Sequence, residues 1–160
     1  MFKAFVVNAS PIILYSRINR LDLIERLAPR LIIPSKVIDE VKGGIDKVRF
    51  SYNAVNWAMR FKYSDIPPYP SVERWNLGPG ETQVISMCLQ NNYLAVLDDR
   101  MARRCIKAHG LFMTGSLGLI LRAKKMKLID RARPLVYELK SQGMYIETEI
   151  IEKALLSFGE

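Results

Sequence analysis

Oxygen-bearing side chains follow apolar runs at four points of the chain, and this arrangement is typical of a site for a hard cation. The four segments are Val6-Val7-Asn8-Ala9-Ser10-Pro11, Val37-Ile38-Asp39-Glu40-Val41, Leu77-Gly78-Pro79-Gly80-Glu81 and Val96-Leu97-Asp98-Asp99-Arg100. An open α/β sheet builds its ligand site at the carboxyl ends of its strands. Carboxylate and amide oxygens gathered there suit Mg²⁺ or Mn²⁺. The segments therefore predict metal-assisted phosphodiester cleavage, although Asn8 places an uncharged amide among the acids.

Each of these side chains also has an ordinary structural interpretation. Asn8 is equally well suited to a turn, where its amide bonds nearby backbone. Glu81 lies at a helix start, where an acid complements the helix dipole. Side chains alternate along a strand, so one of Asp98 and Asp99 should enter the site while the other caps the helix that starts at Arg100.

The second segment carries two adjacent acids on one predicted helix. That helix must bury Val37, Ile38 and Val41, so one of Asp39 and Glu40 can point to a cleft while the other points to solvent. The default for such a carboxylate is a solvated helix face. Covalent hydrolysis is disfavoured, because no nucleophile–histidine–acid set is readable.

Basic residues are concentrated just after the last acidic segment. Residues 100–133 hold ten of them against a single acid, Asp130. Four of the ten are spaced i, i+3, i+4, i+7 and share one helical face, namely Arg100, Arg103, Arg104 and Lys107. A solvated face is the usual fate of such a run, but the imbalance favours contact with nucleic-acid phosphates.

Two serines complete the set of candidate nucleic-acid contacts. Ser116 lies in Thr114-Gly115-Ser116-Leu117-Gly118, which can present backbone N–H groups of a helix start to phosphate. Close packing and an N-cap explain that segment equally well. Ser10 can orient water in the site, but with Pro11 at the first helical position it is better explained as an N-cap.

Strands alternate with helices along the chain. Strands are predicted at Phe5-Val6-Val7, Leu31-Ile32-Ile33, Tyr93-Leu94-Ala95-Val96-Leu97, Leu111-Phe112-Met113 and, at an edge, Met144-Tyr145-Ile146. Helices are predicted to begin at Ser10, Ser35, Gly80, Arg100, Ser116 and Pro134, and the first has a break near Asn19. A further helix is predicted over Val48 to Phe61, and an amphipathic helical tail ends the chain. Gly43-Gly44 should end the helix that begins at Ser35. This order predicts a three-layer α/β/α fold with a central, mostly parallel sheet.

Composition limits the class of protein. The chain has 160 residues and a net charge of +8, which fits one basic domain. Cys88 and Cys105 lie in apolar helical patterns and are expected to be free thiols. The N-terminal run resembles a strand rather than a signal peptide, and no apolar stretch is long enough to span a bilayer. A cytoplasmic protein that does not contact membrane is therefore predicted.

The order of these motifs resembles the PIN-domain family, the metal-dependent ribonuclease fold of many toxin–antitoxin toxins. The nearest pattern is a prokaryotic branch whose motifs appear here as Asn8-Ala9-Ser10-Pro11, Gly80-Glu81, Leu97-Asp98-Asp99-Arg100 and Thr114-Gly115-Ser116-Leu117-Gly118. The resemblance covers nearly the whole chain. It implies a PIN-like domain over residues 1–147, with residues 148–160 as a helical tail of the same domain.

The resemblance also implies roles for individual residues. It makes Glu40, Glu81 and Asp99 catalytic, and it places Mg²⁺ or Mn²⁺ among Asn8, Glu40, Glu81, Asp98 and Asp99. Asn8 stands where the family has an acid. The implied activity is hydrolysis of RNA, with an antitoxin protein and a second copy of the chain as partners. The alternative is a catalytically weak or inactive nucleic-acid-binding or regulatory protein on the same fold.

Overall fold

The sheet of this protein is parallel throughout and reverses its strand order at the centre. The computed structural model describes residues 1–43 and 50–160, and of residues 50–52 it describes only the backbone. The strands are β1 Phe5–Val7, β2 Leu31–Pro34, β3 Lys62–Tyr63, β4 Leu94–Val96 and β5 Met113–Thr114. Their order is β3-β2-β1-β4-β5. The chain thus builds one half of the sheet on each side of the boundary between β1 and β4, and such a boundary is where open α/β sheets bind ligands.

Helices connect the strands and cover both faces of the sheet, which confirms the predicted three-layer α/β/α fold. The described helices are α1 Ala9–Arg17, α2 Leu21–Leu27, α3 Ser35–Gly43, α4 Phe50–Met59, α5 Pro70–Glu73, α6 Pro79–Asn91, α7 Arg100–Ala108, α8 Ser116–Lys125, α9 Arg133–Ser141 and α10 Thr148–Ser157. None of them is both long and apolar enough to cross a membrane.

The core is formed by apolar strands with the buried faces of the helices. Val6, Ile33 and Val96 on the three central strands are completely buried, as expected for a parallel sheet covered on both sides. α10 contributes Ile151 and Leu155 to the same core. Both cysteines are free and buried.

Most predicted elements are present, and three local predictions are wrong. α1 begins at Ala9, so Asn8 and not Ser10 occupies the N-cap position. Pro11 is accommodated because the first helical turn does not use its N–H groups. The last core strand begins at Met113 rather than at Leu111, because the Leu111 N–H closes α7 by donating to the Ile106 carbonyl.

The third wrong prediction is the edge strand at 144–146, which is a loop. The Met144 N–H donates back to the Leu139 carbonyl and terminates α9. The Ile146 carbonyl accepts from Lys140 Nζ at 2.7 Å. Because these groups are already paired and Tyr145 is fully exposed, no strand ladder forms.

Two elements were not predicted, β3 and α5, and both are very short. The predicted helix over Val48 to Phe61 corresponds to α4 from Phe50 onward, and its start at Val48 lies outside the described residues. Gly44, predicted to help end α3, lies outside them as well.

Candidate functional site

The boundary between β1 and β4 brings two of the predicted site segments together. Val7 pairs with Val96 across the two strands, so Asn8 and Asp98 follow adjacent strand ends. The Asn8 N–H donates to the Val96 carbonyl at 2.9 Å and continues the ladder by one step. Asn8 therefore lies at the carboxyl edge of the sheet, at the position the sequence pattern predicts.

Asn8 is a buried amide with an unused acceptor. The residue is only 3% exposed, and within the described structure its Oδ1 has no hydrogen-bond partner. It makes no side-chain capping bond to α1, which argues against the turn interpretation. A hydrogen bond from the Asn8 side chain instead favours the charged form of Glu81. An orphaned buried oxygen is costly, and a cation or a bound water is the kind of group that satisfies it.

Glu40 is held against the start of α6. The packing of Val37, Ile38 and Val41 into the core turns Asp39 to solvent and leaves Glu40 half-buried. Glu40 Oε1 accepts the Gly80 N–H at 2.8 Å. A carboxylate at a helix N-terminus is stabilised by the unpaired N–H groups and the dipole there, so this contact fixes the position of Glu40.

Two glycines make room for the carboxylates. A Cβ on Gly80 would lie 2.7 to 2.8 Å from three atoms of the Glu40 carboxylate. A Cβ on Gly78 would lie 2.5 Å from Glu81 Oε2 and 3.7 Å from Glu40 Oε1. These two distances from one point limit the separation of the two oxygens to 6.2 Å (2.5 Å plus 3.7 Å). The Gly-Pro-Gly-Glu sequence therefore brings two acids close together at one helix end.

Gly80→Ala is expected to destabilise the protein by about 1–3 kcal/mol, because the added methyl group overpacks the Glu40 carboxylate. It should also reduce any activity that depends on Glu40. Gly43→Ala is the matched control, since a Cβ there meets no atom of the described residues within 4 Å. Chemical unfolding of both variants checks the prediction. Equal stability of the two variants would contradict the close approach at Gly80.

Glu81 lies in the first turn of α6, where it faces the other acids. Burial raises its pKa, the charges of Glu40 and Asp99 raise it further, and hydrogen bonds from its own backbone N–H and from Asn8 oppose the change. Glu81 therefore lies in the first turn of α6 and faces the acidic cluster at the same time. Burial contributes most to the raised pKa of Glu81, and the neighbouring charges of Glu40 and Asp99 add to it.

The two aspartates after β4 have different partners. Asp99 Oδ2 accepts the Ala102 N–H at 2.9 Å and caps α7. Asp98 accepts from the Ser116 N–H at 2.8 Å and from the Ser116 hydroxyl at 2.6 Å, with the Ser10 hydroxyl at 3.5 Å. Asp98 is the partly buried member of the pair and Asp99 the exposed one. Asp99 nevertheless remains close enough for its charge to act on Glu81.

Ser116 was expected to contact nucleic acid, but it is completely buried. Its hydroxyl and its N–H are both used by Asp98, so its side chain orients an acid and is inaccessible to a ligand. Gly115 supports the same contact, because a Cβ there would lie 2.7 Å from Asp98 Oδ1.

A cleft of about 620 Å³ opens beside these residues. Of the predicted site residues, Asn8, Ser10, Glu40 and Glu81 line it, whereas Asp98 and Asp99 are not among its lining residues. Sequence reasoning missed Arg17 and Gly143, which also line it. Arg17 could have been found from its spacing of seven residues from Ser10, which puts both on one face of α1. No sequence spacing of this kind indicates that Gly143 lines the cleft.

The side-chain oxygens that line the cleft suit a divalent cation, although they do not converge on a single point. Among the described residues, no group of three or more acid, histidine or cysteine side chains is compact enough to hold an ion. Glu40 and Glu81 nevertheless offer carboxylates within 6.2 Å of each other (2.5 Å plus 3.7 Å), and Asn8 offers an oxygen that lacks a partner. Oxygen donors of this kind fit Mg²⁺ or Mn²⁺.

The basic face of α7 begins directly beside the acids. Arg100, Arg103, Arg104 and Lys107 are all exposed. None of them forms an ion pair with a carboxylate in residues 1–43 or 50–160. Because Asp99 caps this helix, its cations extend away from the acidic edge along one surface. A one-sided basic face of this kind attracts a polyanion.

Comparison with known proteins agrees with this geometry. The family model described as PIN domain matches residues 4–160. The chain therefore belongs to the PIN-domain family, which is a nuclease-type family. No curated protein matches the chain. The resemblance predicted from the motifs is confirmed, while the roles of individual residues stay predictions.

Proposed function

We propose that this protein is a metal-dependent ribonuclease that hydrolyses phosphodiester bonds of RNA in the cleft. The proposal rests on the acidic cluster in the cleft, where burial and the charges of Glu40 and Asp99 raise the pKa of Glu81 and where Asn8 Oδ1 has no hydrogen-bond partner among the described residues. Such a cluster costs folding free energy, and a bound cation would offset that cost. Clusters of this kind are concentrated at functional sites.

We assign each side chain a role in metal binding, water orientation or phosphate contact according to its position. Glu40, Glu81 and the Asn8 amide oxygen would hold Mg²⁺ or Mn²⁺, with Asp98 and Asp99 adding negative charge behind them. The cation supplies Lewis-acid activation of water and of the scissile phosphate when bound. Ser10 lines the cleft between Asn8 and Asp98, where it can orient a water molecule. Arg100, Arg103, Arg104 and Lys107 on α7 contact phosphates of the strand.

Cleavage of single-stranded RNA by the purified protein tests this proposal. We expect cleavage with Mn²⁺, none after chelation by EDTA, and a large loss in Glu81→Gln and Asp99→Asn. Glutamine and asparagine keep the shape and the acceptor oxygen, so the comparison isolates the charge. Metal-dependent cleavage that survives in both variants would mean that these acids are not the catalytic centre.

A second candidate function is RNA binding or regulation without catalysis, and Asn8 favours it. An amide in place of a carboxylate removes one negative charge from the site and weakens its attraction for a cation. Under this alternative the protein binds RNA in a salt-sensitive manner and takes up no Mn²⁺.

A protein partner belongs to the same proposal. Ile150 and Leu156 on α10 are 53% and 75% exposed, and exposed apolar side chains of this kind are typical of contact surfaces. An antitoxin protein or a second copy of this chain would cover them. Migration as a free monomer at high concentration would count against self-association.

A further inference from the structure

Arg17 gives the acidic cleft a basic end. It lies on α1, whose cleft-facing side also carries Ser10, Ile13 and Leu14 at the i, i+3, i+4, i+7 spacing of one helical face. Seven residues of helix place Arg17 about 10 Å from Ser10 along the axis. The carboxylates of Glu40 and Glu81 line the same cleft. The cleft therefore carries negative charge at the end nearer the sheet and positive charge at the other.

The guanidinium is oriented by a backbone carbonyl, and no carboxylate of the described residues neutralises it. Arg17 Nη1 donates to the Gln142 carbonyl at 2.8 Å, at the point where α9 ends. The chain then turns away through Gly143, whose φ of +117° favours glycine. A guanidinium has five N–H donors, and within the described residues this bond uses one of them.

Arg17 differs from several other arginines of the described structure. Arg20, Arg60 and Arg133 each pair with a carboxylate, at 2.9, 3.1 and 2.7 Å. Arg17 has no carboxylate partner in residues 1–43 or 50–160, although Glu40 and Glu81 line the same cleft. An oriented guanidinium that has no carboxylate partner among the described residues is suited to bidentate recognition of a phosphate.

We propose that Arg17 binds a backbone phosphate of the RNA at a linkage flanking the one that is cleaved. This inference rests on the proposed function for the identity of the strand. Because the helix rise places the Arg17 backbone about 10 Å from Ser10, we assign to Arg17 a phosphate next to the scissile one. The half-buried side chain of Ile13 lies between the two ends, and it offers an apolar surface to the intervening sugar or base.

Salt-dependent binding of a single-stranded RNA oligonucleotide in EDTA tests the inference without requiring cleavage. One phosphate contact on a single strand contributes about 0.7 to the slope of log affinity against log salt. Arg17→Gln should therefore lower that slope by about 0.7 and weaken binding about fivefold at 0.1 M salt. The matched control is Arg26→Gln, which removes the same charge from an exposed arginine that faces Asp22 on α2 at 3.9 Å. It should change the slope little.

A third variant separates phosphate binding from the structural bond to Gln142. Arg17→Lys keeps the charge and should retain most of the wild-type slope. An equal loss in the Gln and Lys variants, an equal loss in Arg17→Gln and Arg26→Gln, or no RNA binding by the wild type would overturn the inference. An unchanged slope in Arg17→Gln alongside Glu81-dependent cleavage would overturn it and leave the proposed function standing. The expected slopes without any Mn²⁺-dependent cleavage would support Arg17 and refute the nuclease.

Discussion

Replacing Glu40 by glutamine is expected to lower the Mn²⁺-dependent rate of RNA cleavage by at least about 100-fold. Loss of a group that only orients a metal ligand typically costs about 10- to 100-fold, so loss of a direct ligand should cost no less. The fold should survive, because a glutamine Oε1 can still accept the Gly80 N–H that Glu40 accepts at 2.8 Å. The variant therefore removes the charge and keeps the contact.

Asp39→Asn is the matched control for Glu40→Gln. It makes the same chemical change one residue earlier on α3, on a side chain that faces solvent. Its cleavage rate should stay within about twofold of wild type, as expected for an exposed surface position. Initial rates on one RNA substrate, measured with unfolding curves for both variants, check the pair. An active Glu40→Gln protein, or equal damage from Asp39→Asn, would exclude Glu40 from the catalytic centre.

Asn8→Asp is expected to have opposite effects on stability with and without metal. The new carboxylate would be almost fully buried beside Glu81, whose pKa already reflects burial and the charges of Glu40 and Asp99. Without metal the variant should lose about 1–3 kcal/mol, the usual cost of a buried group that is not satisfied. With Mn²⁺ the added charge should tighten binding by about tenfold or more, because charge count tunes affinity at such sites.

The order of melting temperatures is the readout for Asn8→Asp. In EDTA the variant should melt below wild type, and in saturating Mn²⁺ it should melt above it, with faster RNA cleavage. Asn19→Asp serves as the control, since Asn19 is exposed and its φ of 54° suits aspartate as well as asparagine. If the melting temperature of Asn8→Asp does not change with Mn²⁺, the residue at position 8 is not one of the proposed metal ligands.

The strand ends were predictable from the sequence because topology alone positions them. In a parallel sheet the carboxyl ends of neighbouring strands share an edge, so Asn8 and Asp98 had to meet once β1 and β4 paired. Glu40 could also be predicted, since the burial of Val37, Ile38 and Val41 leaves little choice for the orientation of α3. The apolar pattern therefore determines both the fold and the neighbourhood of the site.

The finer geometry depends on contacts between distant parts of the chain. Asp98 turns toward Ser116 because the start of α8 offers it two donors, and nothing near Asp98 in the sequence indicates that. Arg17 is oriented by Gln142, 125 residues away. Local patterns cannot reveal bonds of this kind. The strand predicted at 144–146 failed for a local reason instead, because Lys140, which is nearby in the sequence, binds the Ile146 carbonyl.

Calorimetric titration with Mn²⁺ decides whether this acidic cleft holds a divalent cation. We expect saturable uptake by the wild-type protein and a strong loss of that uptake in Glu81→Gln, with Asp39→Asn unchanged. The contradicting result is no Mn²⁺ uptake by the wild type while its RNA binding remains salt-sensitive. That result would identify the protein as an RNA-binding member of the PIN-domain family that does not cleave its ligand.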